Sequence, residues 1–321
     1  METQHDVVVV GGGAAGLSGA LALSRARRSV LVVDAGDPRN APAGHVHNYL
    51  AREGTPPADL LAAGRAEVTG YGGTIQAGRV TAAKRVDDDG FAVSLADGRT
   101  VRARRLLVTT GLVDELPAVP GLAELWGTDV LHCPYCHGWE VRDQPVGVLG
   151  TGPFAVHGAL LWRQWSADVT LFVHTAPAPS DDELEQLAAR GIPVVREPVA
   201  GVETAGGRLS GVRLTDGTVV PRTALVVAPR FTARSAVLAS LGLEGVEQEM
   251  HGAVIGSAVP ADPMGATAVP GVWVAGNVTT LHAQVISAAA AGLTAGAALN
   301  ADLIAEDTRL AVTAARSAVA V

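Results

Sequence analysis

The chain has 321 residues, 48% of them apolar, 17% charged and 4% aromatic, with a net charge of −8. That length supports two domains with proper cores. The charge forms no long acidic run and no basic block, which argues against nucleic acid or an anionic membrane as a partner.

The opening METQHD carries neither a basic nor an apolar leader and runs straight into VVVV, as expected of a soluble, cytoplasmic protein. Residues 5–36, HDVVVVGGGAAGLSGALALSRARRSVLVVDAG, predict a strand, a glycine turn, a helix and a second strand ending in an acid. Gly11, Gly13 and Gly16 form GxGxxG directly after the apolar run, and Asp34 stands at the distance of a ribose-binding carboxylate. Glycines let the backbone approach a pyrophosphate, the helix start offers it N–H donors, and the acid accepts from ribose hydroxyls. Dinucleotide binding is therefore expected here.

Residues 36–70 read as a loop followed by a helix, with His45 and His47 in a loop packed over the nucleotide site. FAVSLADGRTVRARRLLVTTG, 91–111, predicts a hairpin turning at Asp97-Gly98. HCPYCHGWE, 132–140, then supplies both of the chain's cysteines, Cys133 and Cys136, followed at once by His137. Two cysteines build no disulfide framework, and without a second Cys-x-x-Cys they fall short of a tetrahedral zinc site. A redox-active pair is expected, and no metal. Trp139 is either an apolar wall for substrate or a buried packing residue, and His132 is either structural or assisting.

A second strand, glycine turn, helix and strand follows at 145–174, with Gly150-x-Gly152-x-x-Ala155 as a variant fingerprint. Trp162 and Trp165 on its helix share one side and are expected to pack. RLSGVRLTDGTVV, 208–220, reads as another hairpin. VISAAAAGLTAGAALNADLIA, 285–305, is broken by Thr294, Asn300 and Asp302, so it reads as a buried helix rather than a membrane span. The tail DTRLAVTAARSAVAV is left as a frayed helix or a dimer contact.

GGGAAG with Asp34, TTG at 109–111, CPYC, GTGPFA and GVWVAGN, in this order, resemble the low-molecular-weight thioredoxin reductase family over nearly the whole chain. The resemblance implies an α/β fold of two Rossmann-like, three-layer ββα dinucleotide-binding domains, the second inserted into the first. It implies an FAD-binding domain of residues 1–115 and 249–321, an inserted redox domain of 116–248, bound FAD, and a homodimer. It carries Gly11, Gly13, Gly16 and Asp34 over to FAD pyrophosphate and ribose. Gly276 and Asn277 fall where the family writes Gly-Asp for the ribityl chain; Asn accepts that hydrogen bond without the charge. Gln284 falls where a backbone N–H faces the flavin's pyrimidine end.

The chain departs from the family at His137, where the reductases have Asp. It departs again after the second nucleotide strand, VTLFVHTAPAPSDDE, where their NADPH-binding arginines are missing. His157 and Gly158 replace an expected Glu pair. CPYCHG with this altered cradle resembles the dithiol oxidases of gliotoxin, holomycin and romidepsin-type pathways. Each lost charge-assisted phosphate contact costs about 1.5–3 kcal/mol, so losing two weakens NADPH by roughly a hundredfold or more.

The expected reaction is therefore an FAD-dependent oxidation of a small-molecule dithiol to its disulfide, with dioxygen as final acceptor and hydrogen peroxide released. Cys133, at a helix start that lowers its pKa, is expected to be the interchange thiol. Cys136 is carried over as the flavin-facing thiol, and His137 is expected to be the base. Two other readings stay open: a reductase fed by NADPH or another donor, and an FAD-binding redox sensor without turnover.

Overall fold

The computed structural model describes residues 4–86 and 90–319. Met1–Thr3 and the last two residues of the tail, on which the leader and tail expectations partly bear, lie outside the described residues. The strand Gln4–Val10 explains the valine run: Val8 and Val10 enter one core cluster, while Val7 and Val9 enter the cluster on the opposite face. A strand buried on both faces needs apolar side chains at every position. It is the centre of a seven-stranded sheet ordered Thr74–Ala77, Val30–Asp34, Gln4–Val10, Thr100–Val108, Phe91–Leu95, Val80–Arg85, with Val272–Val274 also paired to Thr100–Val108. The first four strands and Val272–Val274 run parallel, and the hairpin expected at Asp97-Gly98 supplies the antiparallel margin.

Residues between these strands build a second parallel sheet of Val194–Val195, Val169–Phe172, Val146–Leu149, Ala224–Val226 and Val130–Leu131. Beside it lies a three-stranded antiparallel sheet made by Val199–Ala205, Arg208–Leu214 and Val219–Val220. The fold is thus α/β with two Rossmann-like units, the second inserted into the first. The chain leaves the first unit through Leu112–Glu115 and returns through Arg230–Ala233, which pairs with it antiparallel. That return strand also pairs with Ala253–Ala258.

The carboxyl-terminal helix, Val285–Val319, is long and apolar enough to cross a membrane by length and composition. Its small residues have a nearer cause. A Cβ at Gly292 would sit 2.0 Å from the Ala15 carbonyl oxygen, so the helix lies backbone to backbone against Ala14–Arg25. Ala295, Leu299 and Leu303 are buried in that contact. Farther along, Arg28, Arg104 and Arg105 grip Asp307, Glu306 and Asp302 at 2.7, 2.8 and 2.6 Å.

Candidate functional site

The first glycine turn is shaped by contact. Gly11 has φ +105°, and a Cβ at Gly16 would sit 1.9 Å from the Gly11 carbonyl oxygen. Gly13 begins the helix with open space where its side chain would be, and no side chain caps that helix. Its first-turn N–H groups therefore suit an anion. Asp34, at the end of its strand, accepts from the Gly12 N–H at 3.1 Å. Gly11, Gly13 and Asp34 line a cleft of about 1690 Å³, whereas Gly16 stands behind it as a spacer. These residues fit a dinucleotide.

Cys133, Cys136 and His137 open onto the same cleft. Cys133 caps the short helix Pro134–His137 in an extended conformation, with proline at the first helical position, where a missing N–H costs nothing. The Cys136 and His137 N–H groups each donate to the Cys133 carbonyl at 3.1 Å. Both cysteines are free thiols and half-buried. The Cys133 thiol is lowered to about 7, chiefly by its hydrogen bond with Cys136; burial opposes this, and the Cys136 and Tyr135 N–H groups and the Arg39 charge assist. Cys136 is pushed up, because it holds the shared proton and is buried.

The other expected site residues gather round this pair. The Gln284 side-chain amide lies 4.0 Å from the sulfur of Cys133, the thiol assigned to interchange. Gly276 has φ +78° and lines the cleft beside Asn277. The Asn277 amide nitrogen donates to the Thr280, Leu281 and Ala283 carbonyls at 3.2, 3.2 and 2.9 Å, tying down the turn before Gln284. Burial holds the His137 imidazole below its ordinary range against the opposing pull of Glu140, so it is neutral at neutral pH. His132 is lowered by burial as well, with Nδ1 3.3 Å from the Val227 carbonyl.

His47 lies between two carboxylates, 2.5 Å from Glu53 and 3.4 Å from Glu140, and the next residue, Asn48, donates to the Tyr135 carbonyl at 2.5 Å. Trp139 is 66% exposed, with the Arg142 guanidinium stacked 4.1 Å over it, so it is not the buried packing residue that was one alternative. Trp162 is buried as expected, and Trp165 meets Tyr135 edge-on.

The second glycine turn is tied to the loop after Val169–Phe172, while Thr151, Gly152 and Phe154 line the same cleft and Gly152 faces open space. The Gly150 carbonyl accepts from the Thr175 and Ala176 N–H groups at 3.1 and 3.2 Å. The His174 ring accepts from the Val199 N–H at 3.1 Å. Phe154, at the tip of the turn, packs edge-on against His251 of the first unit.

Arg39, Asp114 and Phe231 also line this cleft and were not foreseen. Arg39 sits in a proline-rich loop, GDPRNAP, that reads as solvent-facing. Its partner Asp114 is 75 residues away, and no local pattern marks the pair.

A family profile described as pyridine nucleotide-disulphide oxidoreductase matches residues 5–295. The chain is similar to thioredoxin reductase tcpT of Claviceps purpurea (strain 20.1), 31% identical over 314 residues, covering 94% of this chain and 95% of the relative. It is similar to thioredoxin reductase sirT of Leptosphaeria maculans at 30% over 318 residues, with coverage of 94% and 95%. Among solved structures, the crystal structure of HlmI superposes with TM-score 0.90 at 47% identity over 98% of each chain. An oxidoreductase from Agrobacterium tumefaciens gives TM-score 0.87 at 35% identity, covering 94% of this chain and 99% of the other.

Proposed function

Because the chain belongs to the pyridine nucleotide-disulphide oxidoreductase family, we propose that this thioredoxin reductase-like enzyme is an FAD-dependent dithiol oxidase that closes an intramolecular disulfide in a small-molecule natural product. The observation that carries the reading is the shared cleft: Cys133 and Cys136 face the same space as the first glycine turn, with Cys133 4.0 Å from Gln284. Gly11 and Gly13 would hold the pyrophosphate of FAD, Asp34 a ribose, and Gly276, Asn277 and Gln284 the flavin half. FAD bound there supplies the two-electron acceptor for the dithiol.

The residues themselves divide the sulfur chemistry. A substrate thiol gives its proton to neutral His137, and the thiolate attacks the Cys133 sulfur of the oxidised pair. The Cys133–Cys136 bond breaks, and Cys136 leaves with the electron pair and takes up a proton, as its raised pKa favours. The second substrate thiolate then attacks its partner sulfur. Cys133 leaves as a thiolate, for which its lowered pKa suits it. The substrate loses two electrons and two protons; the pair gains both electrons and one proton, and the other proton goes to solvent.

The reading takes dioxygen as the final acceptor, released as hydrogen peroxide, and a cytoplasmic homodimer as the working unit. Anaerobic mixing tests it. A small dithiol is expected to bleach the flavin, NADPH at micromolar concentration is not, and Cys136→Ser is expected to stop peroxide formation. Rapid bleaching by NADPH would overturn the reading in favour of a reductase. No peroxide from either the parent or Cys136→Ser would favour a sensor.

A further inference from the structure

The cleft onto which the dithiol opens also holds a fixed cation, Arg39, to which the chemistry above gives no task. Arg39 lies in the loop after Val30–Asp34. Its Nε and Nη2 donate to the two oxygens of Asp114 at 2.8 and 2.6 Å, and the Asp114 side chain is only 7% exposed. Such a bidentate fork fixes orientation as well as distance. The guanidinium carbon lies 5.2 Å from the centre of the Phe231 ring, so the cation is also laid on an aromatic face. Phe231 is buried and meets His132 edge-on at 5.2 Å and His282 edge-on at 5.3 Å. His132 precedes Cys133 in the chain. His282 stands two residues before Gln284, whose amide reaches Cys133.

We propose that Arg39, clamped by Asp114 and seated on Phe231, is an electrostatic positioning residue for the dithiol: its charge favours the Cys133 thiolate and so makes the Cys133–Cys136 disulfide a stronger oxidant of substrate thiols. The other charged groups around the pair leave that role to Arg39. His132 and His282 are both lowered by burial and further by Arg39, so neither is a cation at neutral pH. Asp114 opposes Arg39 at His132; Arg39 lowers both thiols, and at Cys136 it works against the larger effect of the Cys133 charge. His137, with Glu140 and His47 near it, flanks the dithiol helix. Reducing the disulfide takes two electrons from a substrate dithiol and leaves one thiolate and one thiol; stabilising the thiolate favours the reduced pair.

The inference rests on the redox role of the pair and not on the identity of its substrate or final acceptor. Its test therefore needs no turnover. Reduced holoenzyme is pulsed with iodoacetamide across pH 5–9, alkylation of Cys133 is followed by peptide mass, and the pair is equilibrated separately with glutathione buffers. In Arg39→Gln the alkylation midpoint is expected to rise, with roughly threefold to tenfold less thiolate below it, and the glutathione equilibrium to move towards disulfide by a similar factor. Arg39→Lys, which keeps the charge but not the fork, is expected to stay close to the parent. A parental curve for Arg39→Gln overturns the proposal. So does an Arg39→Lys midpoint displaced by a full pH unit, and that variant decides alone should Arg39→Gln not fold.

Discussion

His137 is placed to accept a proton because burial lowers its pKa. A histidine lowered in this way stays neutral at pH values where a free imidazole is already protonated, and it loses its function only as pH falls through the lowered value. The acid limb of dithiol oxidation is therefore expected below the ordinary imidazole value of about 6.5. In His137→Gln that limb should disappear, with kcat/KM down by about a hundredfold, the lower end for a lost general base. A pH profile of kcat/KM with a small dithiol measures both effects; an unchanged limb in the variant would assign it to another group. The neighbouring thiols follow the same logic with opposite signs. One proton shared between Cys133 and Cys136 lowers the first and raises the second.

Among the elements, the carboxyl-terminal helix has the composition most open to misreading. Its Ala/Gly-rich stretch is long and apolar enough to cross a membrane. The same residues let it approach Ala14–Arg25 so closely that Gly292 has no room for a methyl group. The obstacle there is backbone, which no side-chain rotation relieves. Gly292→Val is expected to destabilise the protein by about 1–3 kcal/mol or more, seen as a lower urea midpoint. A parental midpoint would show that the two helices part easily. The first helix also carries the glycine turn, so this contact braces the nucleotide site as well as the core.

At the scale of the whole molecule, the inserted unit meets the first across the cleft. The Asn48–Tyr135 and His47–Glu140 contacts tie the loop of the first unit to the dithiol helix and to the turn that follows it. Each such contact contributes about 0.5–1.5 kcal/mol. Removing both in an Asn48→Ala, Glu140→Gln variant is expected to raise hydrogen exchange of the 133–137 amides by roughly tenfold. Unchanged exchange would mean that the units are held together elsewhere, with Phe154 against His251 the next contact to test.

Local spacing sufficed for much of this protein. The glycine turn, the acid closing the second strand, the Cys-x-x-Cys at a helix start and the second strand–turn–helix are each written within some thirty consecutive residues. Backbone sterics and side-chain periodicity act over that range, and here they determined the α/β class and the dithiol. The tertiary structure alone decided that Arg39 meets Asp114, that His47 reaches Glu140, that Trp139 faces solvent and that Arg230–Ala233 pairs with Leu112–Glu115. These outcomes join segments far apart in the chain, and a pairing of that kind leaves no periodic trace in either segment. It exists only once the sheets have brought the loops to a common cleft.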